Sequence, residues 1–170
     1  MAESKAEQIV AALRTTLAAI TGDSGTTYWY TVNACVRAAA WENSCLDETL
    51  AADATIYVLV PDTRETIRHT IGGAATGHTR SVLNVDLVLA HRYTLSDKPH
   101  VSETPKRWTV QERVLRDALK AIEADESLGG LALCIDTPTA SMAADETWIE
   151  GWAVVFQRLA IMYDYTAGTP

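Results

Sequence analysis

The sequence predicts a single α+β domain, in which a mixed, mostly antiparallel β-sheet is flanked by two main α-helices and includes a long β-hairpin. The chain has 170 residues, the size of one domain with one sizeable core. Some segments repeat apolar residues at the period of a helix, and others are β-branched and aromatic, as strands are. No internal repeat, linker or low-complexity tract interrupts the chain, so residues 1–170 are expected to form one domain.

The first element is predicted to be an amphipathic helix that ends close to residue 21. Its apolar residues fall on one side of a helical projection, whereas Glu3, Glu7 and Arg14 lie elsewhere. The sequence TGDSG at residues 21–25 ends the helix, because glycine adopts the left-handed cap and Asp and Ser favour turns. The apolar side consists of Ala6, Ile9, Val10, Leu13, Leu17 and Ile20.

The middle of the chain is predicted to be mainly strands. Residues 28–37 and 55–60 are aromatic and β-branched, and Pro61 ends the second of them. Residues 41–54 fit either a short helix or a loop. Residues 65–71 and 80–93 are strand candidates joined by the sequence GGAATGH, which is typical of a hairpin. One side of the second arm is predicted to be apolar, formed by Leu83, Val85, Leu87 and Leu89.

The last part of the chain is predicted to contain a loop, a helix and two strands. Residues 94–107 include two prolines and few large apolar side chains, which indicates a long exposed loop. Thr109 and Glu112 have the spacing of a capping box, so the second helix is predicted to begin there and to end at SLGG, residues 127–130. Residues 131–136 and 147–165 are predicted strands. The helix has an apolar stripe formed by Leu115, Ala118, Leu119 and Ile122.

The final predicted strand is apolar on both faces. Two helices cover only one face of an antiparallel sheet, so the other face is expected to meet a loop or another subunit. The even positions hold Trp148, Trp152, Val154, Phe156 and Met162, and the odd positions hold Ile149, Val155, Leu159 and Ile161.

Three consecutive aromatic residues, Tyr28, Trp29 and Tyr30, lie in the first of the predicted strands. At least one of these side chains points away from the core face of the sheet, because neighbouring strand residues alternate. These three aromatic residues form either a small apolar cluster under a loop or an anchor at a contact between proteins, where Trp and Tyr are enriched. The candidate residues for a contact between subunits are Trp148, Trp152, Phe156 and Trp29.

The charge of the chain argues against tight binding of nucleic acid. It has 22 acidic and 14 basic residues, a formal charge of −8, which is the wrong sign for holding phosphates, although an acidic wall would let DNA slide past. No export signal or membrane span is expected from the pattern of apolar residues. Cys35, Cys45 and Cys134 are odd in number and far apart in the sequence. They are therefore predicted to be unpaired structural thiols, as in a protein made in a reducing cytoplasm.

Motifs for catalysis are missing, so the chain is predicted not to be an enzyme and to need neither metal nor cofactor. The glycines of residues 72–77 lack the GK[ST] ending of a phosphate loop. The four histidines form no HxH or HExxH pair, and no GxSxG sequence is present. The late carboxylates Asp136, Asp145, Glu146 and Glu150 fit solvated strand ends and loops better than an acid–base pair.

The order of the elements resembles the tail terminator family of long-tailed phages. The resemblance rests on an amphipathic opening helix ending near TGDSG, the strand LNVDLVLAHRY at residues 83–93, a helix closing on ADESLGG, and the aromatic-ended strand of residues 147–165. It implies a mixed sheet flanked by helices in a structural subunit. Such subunits form a ring, typically a hexamer, that terminates the tail tube and provides the surface for head–tail joining.

The resemblance also implies partners and a location. The partners are other copies of the chain, the tail tube protein, a head–tail connector or neck protein and, if the tail is contractile, a sheath protein. DNA would pass through the lumen without specific binding, and no membrane is involved. The protein would lie at the head-proximal end of the tail in the virion, after assembly in the host cytoplasm. Residues 41–54 and the loop of residues 94–107 are longer than in the simplest family pattern, as adaptations to partners would be, and the candidate partner-docking residues of this loop are Asp97, Lys98, Lys106 and Arg107.

Two alternatives remain at the level of sequence. A neck or head–tail completion protein shares this size, acidity and ring formation, but would bind the portal side. A small α+β enzyme or ligand-binding module would carry a pocket at the edge of the sheet. A convergent set of polar residues would favour the enzyme or ligand-binding module, and the sequence lacks such a set.

Overall fold

The chain folds into a mixed β-sheet with helices packed against one face. The computed structural model describes residues 4–23, 27–40, 53–60, 69–71, 78–93, 99–138, 140–142 and 151–166. The helices are α1 (Lys5–Ala18) and α2 (Pro99–Glu123). The strands are β1 (Ala34–Ala38), β2 (Ala54–Leu59), β3 (His69–Ile71), β4 (His78–Arg92), β5 (Cys134–Asp136), β6 (Ala140–Met142) and β7 (Trp152–Thr166).

The two longest strands form the centre of the sheet. β4 and β7 pair antiparallel along their whole length, from His78 opposite Thr166 to Arg92 opposite Trp152. The main strand order is β1-β2-β4-β7-β5, with β3 also on β4 and β6 also on β7. β1 runs parallel to β2, and the other pairs are antiparallel. The predicted α+β fold with a mixed, mostly antiparallel sheet is confirmed, and β3 and β4 form the predicted hairpin.

Both helices pack on the same face of the sheet, where they enclose the main core. The apolar side of α1 is buried as predicted, and a capping box joins Ser4 and Glu7 at its start. The alternation predicted for β4 places its odd positions in this core, opposite the odd positions of β7. Strand residues of this core include Ile56, Val58, Leu83, Val85, Leu87, Leu89, Val155, Leu159 and Ile161.

The opposite face of the sheet has an apolar cluster at one end and ion pairs towards the other. Near the start of β7 lies a second apolar cluster, formed by Tyr57, Val88, Ala90, Trp152 and Val154. Further along the same face, two cross-strand ion pairs link β4 to β7. Arg158 Nε lies 2.7 Å from Asp86 Oδ1, and Arg80 Nε lies 2.9 Å from Asp164 Oδ1.

The predicted start of the second helix is wrong. α2 begins at Pro99 rather than Thr109, so most of residues 94–107 is helical and not a loop. Proline is well tolerated at the first helical position, where its missing N–H would have no partner within the helix. Pro99 therefore stands at the helix start, whereas Pro105 and the Thr109–Glu112 spacing lie inside the helix.

The predicted strand of residues 28–37 is also too long. Regular pairing begins at Ala34, and the N–H groups of Trp29 and Tyr30 are bonded to a side chain of α2 instead of a neighbouring strand. Gly22 permits the close approach of this segment, because a Cβ atom there would lie 2.8 Å from the carbonyl carbon of Tyr30. Tertiary hydrogen bonds have overridden strand propensity here.

Several other predicted bounds differ from the structure. α2 ends at Glu123 rather than at residues 127–130, and β5 begins at Cys134 rather than at residue 131. The sequence pattern did not indicate the short strand β6. The described part of the last strand starts at Trp152. Most of residues 41–54, residues 65–68 and residues 147–150 lie outside the described residues.

Candidate subunit-contact surface

A short segment next to α2, residues 27–30, is held by hydrogen bonds to its backbone. The N–H of Trp29 donates to both carboxylate oxygens of Asp117, at 3.0 and 2.8 Å, and the N–H of Tyr30 donates at 2.9 Å. Lys120 Nζ donates to the carbonyl oxygen of Thr27 at 2.8 Å. Successive residues of this segment are therefore fixed to one helix by charged groups, which form stronger hydrogen bonds than neutral ones.

The segment is also fixed from its other side. Asp23 accepts hydrogen bonds from the N–H groups of Thr27 and Tyr28 at 2.7 and 3.1 Å. The rings of Tyr30 and His91 lie 4.0 Å apart between centroids, which joins the segment to the end of β4. Residues 27–30 are thus restrained by α2, by β4 and by Asp23.

Asp117 is the central residue of this arrangement. Only 4% of it is exposed, and burial raises the pKa of its carboxyl above the usual value, while the N–H donors of Trp29 and Tyr30 and the charge of Lys120 act in the opposite direction. A buried carboxylate is tolerated when its oxygens accept hydrogen bonds, as they do here. Its charge is directed at backbone amides and not at solvent.

The side chain of Trp29 reaches the surface from this rigid base. It is 43% exposed, and the guanidinium carbon of Arg113 lies 4.1 Å from the centre of its ring, within the range of a cation–π contact. Trp and Arg are the residue types most enriched at the energetic centres of protein interfaces. A Trp with a restrained backbone also loses little conformational freedom when it is covered.

Trp29 borders a groove, here named the Trp29 groove, that encloses about 530 Å³. Its cations are Arg116 and Lys120, both exposed on α2. The carboxylate of Asp117 is already engaged with amides. Glu123 adds an exposed carboxylate, so the groove combines apolar area with charges of both signs. It is lined by Thr27, Trp29, Arg116, Asp117, Leu119, Lys120 and Glu123.

The other candidate contact residues lie elsewhere. Trp152 is 6% exposed and belongs to the second apolar cluster, with Phe156 half-buried at its border. The expectation that this side of the final strand leaves the core of the subunit is therefore wrong for Trp152, because sheet neighbours on β2 and β4 pack against it. Any role of Trp152 or Phe156 between subunits stays a prediction. Trp148 lies outside the described residues.

The predicted docking loop is only partly described, and that part is not a loop. Lys106 and Arg107 lie on α2, Lys106 exposed and Arg107 half-buried. Asp97 and Lys98 fall outside the described residues. A role of these four residues in binding a partner stays a prediction.

Asp117 and Arg113 had no part in the sequence prediction. Asp117 lies 88 residues from Trp29 in the chain, and both residues look like ordinary solvent-facing positions of an amphipathic helix. One signal was available: Asp117 follows Val110 and Val114 at helical spacing, which places an acid on the edge of the apolar stripe. A buried acid needs a partner, and amides at the end of an aromatic segment are such partners.

Replacing Asp117 is expected to loosen residues 27–30. Asp117→Ala should lower the free energy of unfolding by about 1–3 kcal/mol, since the N–H groups of Trp29 and Tyr30 lose their acceptor. Asp117→Asn should have a free energy of unfolding between those of the wild type and Asp117→Ala, because the asparagine side chain keeps one acceptor oxygen. Denaturant unfolding measures this. Glu123→Ala, which removes an exposed acid of the same helix, is the control, and equal midpoints for the variants and the control would contradict the assignment.

The described residues contain no group of three or more metal-ligating side chains. Among the thiols, Cys35 and Cys134 are unpaired, and burial raises the pKa of Cys35 to about 11, so it is protonated at neutral pH and a poor nucleophile. Cys45 lies outside the described residues. Neither α1 nor α2 has the length and apolar character needed to cross a membrane within its described part.

Comparison with known proteins does not place the chain in a family. No protein-family model matches it, and no curated protein matches it either. The fold and the Trp29 groove are therefore the structural basis for a functional proposal.

Proposed function

We propose that the protein is a structural subunit of a phage virion, which forms a ring that terminates the tail tube and provides the surface for head–tail joining. The observation that carries the proposal is the order of its elements. A capped amphipathic helix, a hairpin with one long arm, a helix ending at Glu123 and a long final strand follow one another, which is the order that the resemblance to tail terminators implies.

The surface around Trp29 supports self-assembly. A ring subunit needs an accessible contact that does not depend on its own folding core, and a rigidly held, 43% exposed Trp beside Arg113 suits that purpose. The apolar residues of the sheet that face the helices are buried in the main core of the subunit, so they cannot contact a neighbour. The accessible contact is assigned to α2 and residues 27–30, because Trp29 and Arg113 lie there.

Loss of the protein during phage assembly tests the proposal. A stop codon early in its coding sequence should give tails of uncontrolled length that do not join heads, because the growing tube is not capped. The protein supplied in trans should restore normal length. Tails of normal length beside unjoined heads would contradict termination and favour the neck or connector role.

A further inference from the structure

His91 joins the end of β4 to residues 27–30. It occupies an odd position of β4, on the face of the sheet that carries the helices, between Ala54 of β2 and Ala153 of β7. Because alanine side chains are small, a ring can lie over this end of the sheet, and Tyr30 packs there against Ala153. The centroids of the Tyr30 and His91 rings are 4.0 Å apart. This ring contact connects the segment to the sheet.

The surroundings of His91 suit its neutral form. The side chain is half-buried, and its Nδ1 atom is buried without a hydrogen bond to any described residue. A protonated imidazole donates from both nitrogens, so protonation would leave a buried N–H with no acceptor. Burial lowers the pKa of His91 below its usual value of 6.5, while the Arg92 backbone and the Asp53 carboxylate act in the opposite direction.

The charged groups of the neighbouring elements do not supply the missing acceptor. Asp53, just before β2, is exposed to solvent, which weakens its attraction for a charge on His91. Asp117 approaches from α2, but its oxygens already accept the N–H groups of residues 29 and 30. Arg113 of the same helix is a cation, and the partners of His91 on β2 and β7 are uncharged alanines. A charged His91 is therefore better accommodated in water.

We propose that acidification releases residues 27–30 from the end of β4, with His91 as the group that takes up the proton. Water reaches Nδ1 when the ring of Tyr30 moves away from the ring of His91. Tyr30 and Trp29 donate to the same carboxylate, that of Asp117, so the backbone that holds Trp29 loosens with Tyr30. The device acts inside one subunit and does not depend on ring formation.

Hydrogen exchange of the backbone amides of Trp29 and Tyr30 measures this release. The pKa of His91 is lowered in the closed state, so the open state binds more protons and opening becomes more favourable as the pH falls below about 6.5. Between about pH 7.5 and about pH 5.5 the opening constant, corrected for intrinsic exchange, should rise by up to about tenfold, the limit for one proton. Both amides should open more readily than that of Leu87 in the centre of β4, because the release leaves the sheet paired.

Two variants remove the titrating group. His91→Phe keeps a ring against Tyr30, so its opening constant should be low and equal at both pH values. His91→Gln lacks the ring and should open more than the wild type at the higher pH, again without a dependence on pH. His69→Gln is the matched control, because His69 pairs with Arg80 near the other end of β4, and it should keep the response of the wild type.

Three results would overturn the inference. The first is a wild-type opening constant that does not change with pH, and the second is a pH response that persists in both His91 variants. The third is an opening constant for Trp29 and Tyr30 equal to that of Leu87, which would show that these amides exchange only through unfolding of the whole domain. Each result leaves the ring proposal standing, since the exchange measurement reports on a single subunit.

Discussion

Ile122→Asp is expected to leave the protein unfolded or insoluble. Ile122 is 2% exposed and lies in the main core on the sheet-facing side of α2. The substitution removes about 1.5–3 kcal/mol of apolar burial and places an unpaired charge in the core, at a cost of several kcal/mol more. Because native domains are stable by only about 5–15 kcal/mol, this loss approaches the whole stability of the fold.

Leu119→Asp is the control for that result, although the sequence placed Leu119 in the same apolar stripe. In the structure Leu119 is half-buried, lines the Trp29 groove and belongs to no core cluster of the described residues. The protein should therefore remain soluble and folded, with a smaller loss of stability. Solubility, circular dichroism and denaturant unfolding measure both variants. A soluble Ile122→Asp protein with an unchanged midpoint would show that the buried face of α2 is assigned wrongly.

Trp152→Ala should lower the free energy of unfolding by about 3–5 kcal/mol, the usual cost of truncating a buried aromatic side chain. Trp152 is 6% exposed and packs in the second apolar cluster with Tyr57, Val88, Ala90 and Val154. The cavity left behind is bordered by strands β2, β4 and β7, which pair with one another and have little room to collapse. Denaturant unfolding measures the loss.

Phe156→Ala is the matched variant on the same face of β7. Phe156 is half-buried at the border of the cluster, so its truncation should cost less than that of Trp152. If Trp152→Ala instead kept the wild-type midpoint and lost only self-association, Trp152 would lie between subunits and not in the core.

The alternating pattern of the long strands was enough to predict the centre of the sheet. The odd positions of β4 and β7, such as Leu87 and Leu159, are buried against the helices, as the period of two indicates. The amphipathic pattern of α1 was equally informative, because its stripe continues without interruption from Ala6 to Leu17. In these elements local pattern and tertiary packing agree.

The start of α2 and the conformation of residues 28–33 were not predictable in the same way. Proline is compatible both with a loop and with the first position of a helix, so residues 94–107 did not decide between them. Trp29 and Tyr30 have strand propensity, but their amides bind Asp117, which is distant in sequence. The helical spacing of Asp117 places an acid at the edge of the apolar stripe, but no local pattern identifies the amides that bind it.

Some residues of the candidate contact surface could be predicted from the sequence and others could not. Trp29 was recognisable as a candidate anchor, because an aromatic cluster cannot place all of its side chains on one face of a strand. Arg113 and Arg116 were not recognisable, since charged residues are common on the outer side of a helix. Only the docking of residues 27–30 onto α2 brings these cations to Trp29.

Sedimentation velocity combined with electron microscopy of the purified protein tests directly whether it forms rings. A structural ring subunit should form closed rings of uniform size, with a mass several times the 18.5 kDa of one chain. We expect hexameric rings, with a central opening wide enough for DNA, that convert to single subunits in Trp29→Ala. A protein that remains at the mass of one chain at all concentrations, with no rings in the images, would contradict it.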